Sequence, residues 1–429
     1  MEQFFKLKQH GTTVRTELVA GLTTFMTMAY ILAVNPNILS NAGMSAQAVF
    51  TATALASAIA TICMALLANL PIALAPGMGL NAFFAFTVVL GMGYSWQLTL
   101  TAVFLEGILF LLLSLFNVRE AIVKSIPTNI KKAVSVGIGL FIAFIGLQNA
   151  GIVVKSDATL VALGSLDKGP VLVALIGLVL TGVLLAFKVK GALLFGILGA
   201  TIVGIPFGVT NIPKNWNPIG SPAAPLLFQF QFDKVLSLDF FVVFFTFLFV
   251  DIFDTVGTLV GITTQAGMID KEGNVPRVKQ ALLSDAVGTV VGACLGTSTV
   301  TSYIESAAGV ADGGRTGLTA LTTGILFLLA LFLSPLFLLI PSAATAPALI
   351  LVGLFMMEPI KDVELYDFTE AIPAFLTIIM MPLTYSIADG LVFGILSYIF
   401  IKLFTGKVKD ISAVTWIVGI LFIIRLVMK

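Results

Sequence analysis

Glu17, Glu106, Asp251, Asp254, Asp285 and Glu305 stand inside long apolar stretches of this 429-residue chain. An ionised carboxylate taken out of water is strongly destabilising unless something donates to it, pairs with it or protonates it. Acids at membrane depth therefore mark ligand or proton sites by default. Asp251 and Asp254 belong to FVDIFDTVGTLVG, residues 249–261. Their i,i+3 spacing predicts one helix face, extended by Thr258, with Gly257 and Gly261 allowing close approach of another backbone. Like charges on one such face repel, so they make poor structural glue. The structural alternative is that one caps a neighbouring half-helix or pairs with Arg315. Glu305 lies in GTSTVTSYIESAAG, residues 296–309, after Thr301, Ser302 and Tyr303. The corresponding place earlier in the chain is PGMGLNAFFAF, residues 76–86, with Asn81. Both residues could instead do no more than satisfy helix ends, a common task for Asn. Glu17 reads as an interfacial charge at the mouth of the first span. Glu106 and Asp285 read as hydrogen-bonding links to neighbouring spans.

The elements that position these groups must be membrane spans. The chain is 58% hydrophobic and only 10% charged, against roughly 25% charged in a soluble domain. A net charge of +1 argues against a nucleic-acid partner. Cys63 and Cys294 sit in apolar segments and imply no disulfide framework. The single histidine, His10, lies in the polar N-terminal arm, so no histidine-based metal site, and no cofactor, is expected. No cleavable signal is expected either, because the first 15 residues are polar and the following apolar run is long.

Ordinary spans are predicted at 17–39, 46–69, 97–117, 133–153, 170–187, 191–208, 238–265, 278–296, 316–340, 344–359, 369–386 and 388–405. Two stretches break the pattern. In 71–90, Pro71 and Pro76 remove backbone donors while Gly77 and Gly79 free the chain to bend, so helix is expected only from about Leu80 or Asn81. In 297–311, Thr297, Ser298, Thr299, Val300 and Thr301 favour an extended strand before a helical turn, by β-branching and local side-chain hydrogen bonds. Two such strands could pair antiparallel and satisfy backbone groups that lipid cannot. Counting both gives about fourteen crossings, with 411–427 either spanning or lying in the interface.

That count puts Lys6, Lys8, Arg15, Arg119, Lys124, Lys131, Lys132, Lys188, Lys190, Lys271, Arg277, Lys279, Arg315, Lys361, Lys402, Lys407 and Lys409 on one side, which predicts a cytoplasmic N-terminus. Loops 40–45 and 91–96 on the other side are uncharged. The broken stretches are each third in their half and seven crossings apart. An odd offset reverses orientation, the mark of an inverted repeat with a midplane substrate site. Half-helix N-termini meeting there present unpaired N–H groups and positive dipole ends.

These motifs, with the opening TELVAGLTTFMTMAYILAVNP, resemble the azaguanine-type purine permeases of the nucleobase–cation symporter and nucleobase–ascorbate transporter family, over about residues 10–405. The resemblance implies an all-α polytopic fold in a 7+7 inverted repeat, usually dimeric, with elevator-like movement of a core against a gate. Core halves would be 16–132 and 237–340, and gate halves 133–236 and 341–410. The arm 1–15 and the apolar segment 411–429 flank them. The ligand-binding acid of the eighth span matches Asp254, with Asp251 its neighbour. The acid of the tenth matches Glu305, and the polar position of the third matches Asn81. The more distant bacterial uracil transporter has a histidine where this chain has Thr258, which weakens transfer of pyrimidine specificity.

The chemistry suits a purine on its own terms. A carboxylate accepts from two adjacent N–H groups of guanine or one of hypoxanthine, and leaving it unmatched is costly. Phe83, Phe84 or Tyr303 could cover the ring, though plain packing is the commoner role at such spacings. A carboxylate in a low dielectric can also take up a proton with its ligand. The expectation is a proton-coupled importer of purine nucleobases in the plasma membrane, with hypoxanthine and guanine favoured over adenine. The substrate site would use Glu305, Asp254, Asp251, Asn81, Phe84 and Thr301, and the proton would ride on Asp254 or Glu305. The rivals are a sulfate-type anion transporter of the same architecture, which would want a basic or neutral residue at Glu305, and a cation channel, which would want polar rings in the gate. An enzyme is not expected, since the spans hold no nucleophile–base pair.

Overall fold

A chain this apolar has to close its backbone hydrogen bonds inside each segment, which helices do. The computed structural model describes residues 2–115, 127–269 and 275–428. Arg119, Lys124 and Lys271, part of the predicted basic side, lie outside the described residues. Ten helical stretches among the described residues are long and apolar enough to cross a membrane. Shorter apolar helices add Met78–Gly91, Ala192–Val203, Phe368–Thr384 and Ala413–Ile424.

In chain order the elements are α1 (Val14–Met28), α2 (Ile31–Ser40), α3 (Ala46–Cys63), β1 (Leu74–Pro76), α4 (Met78–Ala82, continued by a π-helical stretch Phe83–Gly91), α5 (Trp96–Leu115), α6 (Thr128–Asn149), β2 (Val153–Ser156), β3 (Leu160–Leu163), α7 (Gly169–Ala186) and α8 (Ala192–Val203). There follow α9 (Leu238–Gln265), α10 (Val278–Leu295), β4 (Val300–Ser302), α11 (Ser306–Ala311), α12 (Gly317–Ala330), α13 (Ser334–Leu338), α14 (Ser342–Met356), α15 (Phe368–Thr384), α16 (Ile387–Phe404) and α17 (Ala413–Met428). Helices α1, α3, α5, α9, α10 and α12 pack as one group, and α6, α7, α8, α14, α15 and α16 as another. The groups meet along α4 with α6, α8 with α1, and α14 with α2.

Both broken stretches are strand followed by short helix. β1 and β4 pair antiparallel, with Leu74 opposite Ser302, Ala75 opposite Thr301 and Pro76 opposite Val300. The ladder continues on either side through Gly77 N to Thr299 O at 2.9 Å and Tyr303 N to Ala73 O at 2.9 Å. A two-stranded sheet has two open edges, and at membrane depth each needs partners. The same device serves both. The Thr61 hydroxyl of α3 accepts from Leu74 N at 2.9 Å and donates to Leu74 O at 3.1 Å. The Thr289 hydroxyl of α10 accepts from Val300 N at 3.2 Å and donates to Val300 O at 3.0 Å. Gly296, at φ +91°, ends α10 and turns the chain toward β4, a left-handed helix stop that glycine adopts without strain.

Several expectations are corrected. The first half-helix starts at Met78, not near Leu80 or Asn81. Gly77 O already accepts from Asn81 N at 2.8 Å, closing the first turn earlier. The second strand is shifted to Val300–Ser302, because the register places those residues opposite β1, while Thr297, Ser298 and Thr299 send their side chains to Asn35, Asn81 and Glu106. A hairpin, β2–β3, fills the 153–163 connection, which carried no element in the sequence reading.

Glu17 is not an interfacial charge. It is fully buried, and its carboxylate accepts from Arg315 N at 2.9 Å, Thr316 N at 3.2 Å, Thr316 Oγ1 at 2.8 Å, Thr319 N at 3.2 Å and Thr319 Oγ1 at 2.6 Å. A carboxylate at a helix N-terminus satisfies the orphan donors there and meets the positive end of the dipole. Glu17 thereby fastens α1 to the start of α12.

Candidate functional site

The strand pair ends in a cavity of about 460 Å³ whose wall includes Tyr30, Gly77, Gly79, Asp254, Thr258, Thr301, Tyr303 and Glu305. That volume suits a small organic ligand. The cavity runs on to Lys131 and Lys132 in the first turn of α6 and to Glu358 and Pro359 beyond α14.

Glu305 is delivered to this wall by its position between β4 and α11, as the residue just before α11. Its Oε1 accepts from the Tyr30 hydroxyl at 2.5 Å, and its carbonyl accepts from Thr27 Oγ1 at 3.3 Å. Tyr30 lies at the joint between α1 and α2 and is fully buried. Asp254 comes from the middle of α9, and its Oδ2 accepts from the Thr301 hydroxyl of β4 at 3.3 Å. The Tyr303 hydroxyl donates to Pro76 O at 2.6 Å, joining the end of one strand to the other. Gly77 and Gly79 keep the first half-helix close to its surroundings. A Cβ on Gly79 would stand 2.6 Å from Ile138 Cγ2 of α6, and one on Gly77 would stand 2.9 Å from Thr301 Cγ2.

Among the expected site residues, Asp254, Thr301 and Glu305 share this wall, while Asp251, Asn81 and Phe84 stand off it. Residues three apart differ by about 60° around a helix, and that offset turns Asp251 away. Asp251 is buried toward α10, where the Thr255 hydroxyl lies 2.9 Å from Asp285 Oδ1 and 3.4 Å from Asp251 Oδ1. Asn81 is fully buried on the other side of the first half-helix. It accepts from the Ser298 hydroxyl and donates to Pro76 O at 3.4 Å. Phe84 is fully buried and packs edge-on toward Phe247 of α9, centroids 6.5 Å apart. The Arg315 guanidinium is spent on backbone, donating to Val310 O and Gly314 O at 2.7 and 2.8 Å. Tyr30 is a site residue that the sequence pattern does not mark. A lone tyrosine in an apolar run just before AVNP was the available signal.

The wall therefore offers two carboxyl groups, each already held by one hydroxyl donor, with open acceptor capacity toward the cavity. Carboxyl oxygens so placed can accept hydrogen bonds from N–H groups. Among the described residues, no cluster of three His, Cys, Asp or Glu side chains could hold a metal ion.

A sequence model of the Permease family matches residues 15–393. The chain belongs to that family. It is a multi-pass membrane permease, and so a transporter and not an enzyme. It is 45% identical over 429 residues to the adenine permease AdeP of Escherichia coli, covering 100% of this chain and 96% of that one. It is 46% identical over 435 residues to the guanine/hypoxanthine permease PbuG of Bacillus subtilis, covering 99% of each. In fold this permease resembles the transmembrane domain of the cyanobacterial bicarbonate transporter BicA, with a TM-score of 0.68, 16% identity, and coverage of 88% of this chain and 97% of that one. Murine Slc26a9, an anion transporter in the inward-facing state, aligns with a TM-score of 0.61 at 12% identity, covering 90% of this chain and 68% of that one.

Proposed function

We propose that this permease imports purine nucleobases, with hypoxanthine and guanine ahead of adenine, by proton-coupled transport across the plasma membrane. The observation that carries the reading is the pair Glu305 and Asp254 on one cavity wall, each with a hydroxyl donor and free acceptor capacity. The N1–H and 2-amino N–H groups of guanine match a carboxylate, and hypoxanthine offers the first of these. The names of relatives 45–46% identical over nearly the whole chain support the same substrate class. The carboxyls also supply a proton carrier, with Asp254 and Glu305 the groups that would take it.

The wider reading has fourteen crossings in a 7+7 inverted repeat. The matching threonine devices on the two strands support it, since a duplicated ancestor would leave each strand with the same partner from the preceding helix. Residues 16–132 and 237–340 would move as a core past a gate of 133–236 and 341–410, in an elevator-type step within a homodimer whose N-termini face the cytoplasm. The segregation of helices into two packed groups supports that division.

The fold likeness to a bicarbonate transporter favours a second reading, an anion carrier. Two carboxyls on the wall oppose it, because an anion would meet them with repulsion. Counterflow of labelled hypoxanthine, guanine, adenine and sulfate in proteoliposomes separates the two. Purine counterflow is expected, and net purine uptake is expected to rise as external pH falls and to collapse with a protonophore. Sulfate exchange without purine exchange would overturn the proposal, and purine exchange that requires sodium at constant pH would overturn its proton coupling.

A further inference from the structure

The bond between Tyr30 and Glu305 joins residues 275 apart in sequence, at a joint where α1 stops and α2 begins. A tyrosine hydroxyl in the interior needs a partner, and this one has the single carboxyl oxygen Oε1. A hydroxyl that donates to a carboxyl oxygen makes its strongest bond when that carboxyl is ionised. Tyr30 is fully buried, so water cannot take its place without the side chain moving. Asp254, Tyr303, Lys131, Lys132 and Glu358 line the same cavity. Of these, neither Asp254 nor Tyr303 brings a positive charge to Glu305.

The state of Glu305 decides which edge of a purine it can read. As a carboxylate it only accepts, and so it matches N1–H of hypoxanthine or guanine. Adenine and unsubstituted purine carry a bare lone pair at N1, which meets a carboxylate acceptor to acceptor. As a neutral acid the same group could donate to that lone pair and accept from the 6-amino group of adenine. We propose that Tyr30 is a positioning residue that holds Glu305 as a hydrogen-bond acceptor and thereby sets the preference of the site for purines carrying N1–H over purines with a bare N1. The inference rests on the purine reading above and deepens it.

The experiment is competition for labelled hypoxanthine on the detergent-solubilised full chain, with unlabelled hypoxanthine, adenine and unsubstituted purine as competitors. Wild type is expected to prefer hypoxanthine over unsubstituted purine by about 100-fold or more, because an unmatched buried acceptor is heavily penalised. Tyr30→Phe removes the hydroxyl and keeps the ring. It is expected to weaken hypoxanthine about tenfold and to change adenine less than about threefold, so the preference shrinks. Equal losses for all ligands, or an unchanged ratio, would overturn the inference, since a merely structural role lowers all affinities together. Should Tyr30→Phe fail to fold, the wild-type comparison stands by itself: equal affinity for hypoxanthine and unsubstituted purine overturns the inference and leaves purine transport intact. A folded wild-type chain that binds none of the purines overturns the transport reading, and this inference with it.

Discussion

The two broken segments share a backbone and differ in where they send their polar side chain. Each has a short strand, an edge closed by one threonine of the preceding helix, and a half-helix that starts within a few residues. In the first, Asn81 turns inward and ties the half-helix to Ser298 and Pro76. In the second, Glu305 turns to the cavity and meets Tyr30. The repeated part is thus the part that solves the problem of exposed backbone at membrane depth. The carboxyl proposed to read a ligand stands on one side only. Two segments can share a backbone device without sharing a chemistry.

The sharpest way to break this comparison is Glu305→Gln set beside Asn81→Ala. Glu305→Gln should lower hypoxanthine and guanine counterflow by about 100-fold or more, with thermal stability within a few degrees of wild type because the amide keeps the shape. Wild-type counterflow in this variant would remove Glu305 from the site. Asn81→Ala should act mainly on stability, by about 1–3 kcal/mol, because a buried hydroxyl and a carbonyl lose a partner. Denaturant titration reads it, and a selective loss of substrate affinity with unchanged stability would put Asn81 on the ligand after all.

Thr61→Val and Thr289→Val sharpen the symmetric half of the comparison. Each leaves one strand N–H and one carbonyl without the hydroxyl that now serves them, so each should cost about 1–3 kcal/mol. The two losses should agree within about 1 kcal/mol, given that the bonds removed are of one kind. A large difference in the unfolding midpoints would show that the strands are not equivalent.

The smallest effect is expected where the half-helices end. Thr87 of the first stretch donates to Tyr385 O at 2.8 Å. Asp312, after the second half-helix, pairs with Lys190 and accepts from the Thr23 hydroxyl at 2.6 Å. Burial alone would raise the pKa of Asp312, but the Lys190 ammonium and the Thr23 hydroxyl outweigh it and hold the carboxyl below its usual range. A carboxyl depressed in the folded state adds stability above its unfolded value of about 3.9 and loses it as pH falls through the folded value. Lys190 is more than half exposed, so Lys190→Ala should cost at most about 1 kcal/mol at pH 7, and less in high salt. Melting curves of wild type and variant should converge as the pH is lowered below 4. A gap that widens on acidification would contradict the pairing.

How far the sequence carried depended on whether the deciding partner was local. Pro71, Pro76, Gly77 and Gly79 break the first segment through their own backbone properties, and the run of Thr, Ser and Val at 297–301 does the same for the second, so both strands are legible. The hairpin at 153–163 was not, because its strands are short and exposed and Leu160 takes a positive φ. Glu17 was misread because its donors, Arg315 to Thr319, stand about 300 positions away. Tyr30 is hidden for the same reason, its partner Glu305 lying 275 positions away. Asp251 was grouped with Asp254 by spacing, and the small angle between them was enough to give one to α10 and the other to the cavity.

The strand pair has a consequence for how such carriers change cargo. Its two strands are joined through main-chain atoms, and its edges through two hydroxyls that sit outside the cavity wall. None of these bonds specifies the side chain at the tip of either half-helix. Selection can therefore rewrite the tips without dismantling the platform beneath them. A platform indifferent to its tips is compatible with one frame aligning to a bicarbonate carrier at 16% identity. For engineering, the residues to randomise in search of a new cargo are those at 27–30, 254–258 and 303–305, with 61, 74–76, 289 and 300–302 held fixed.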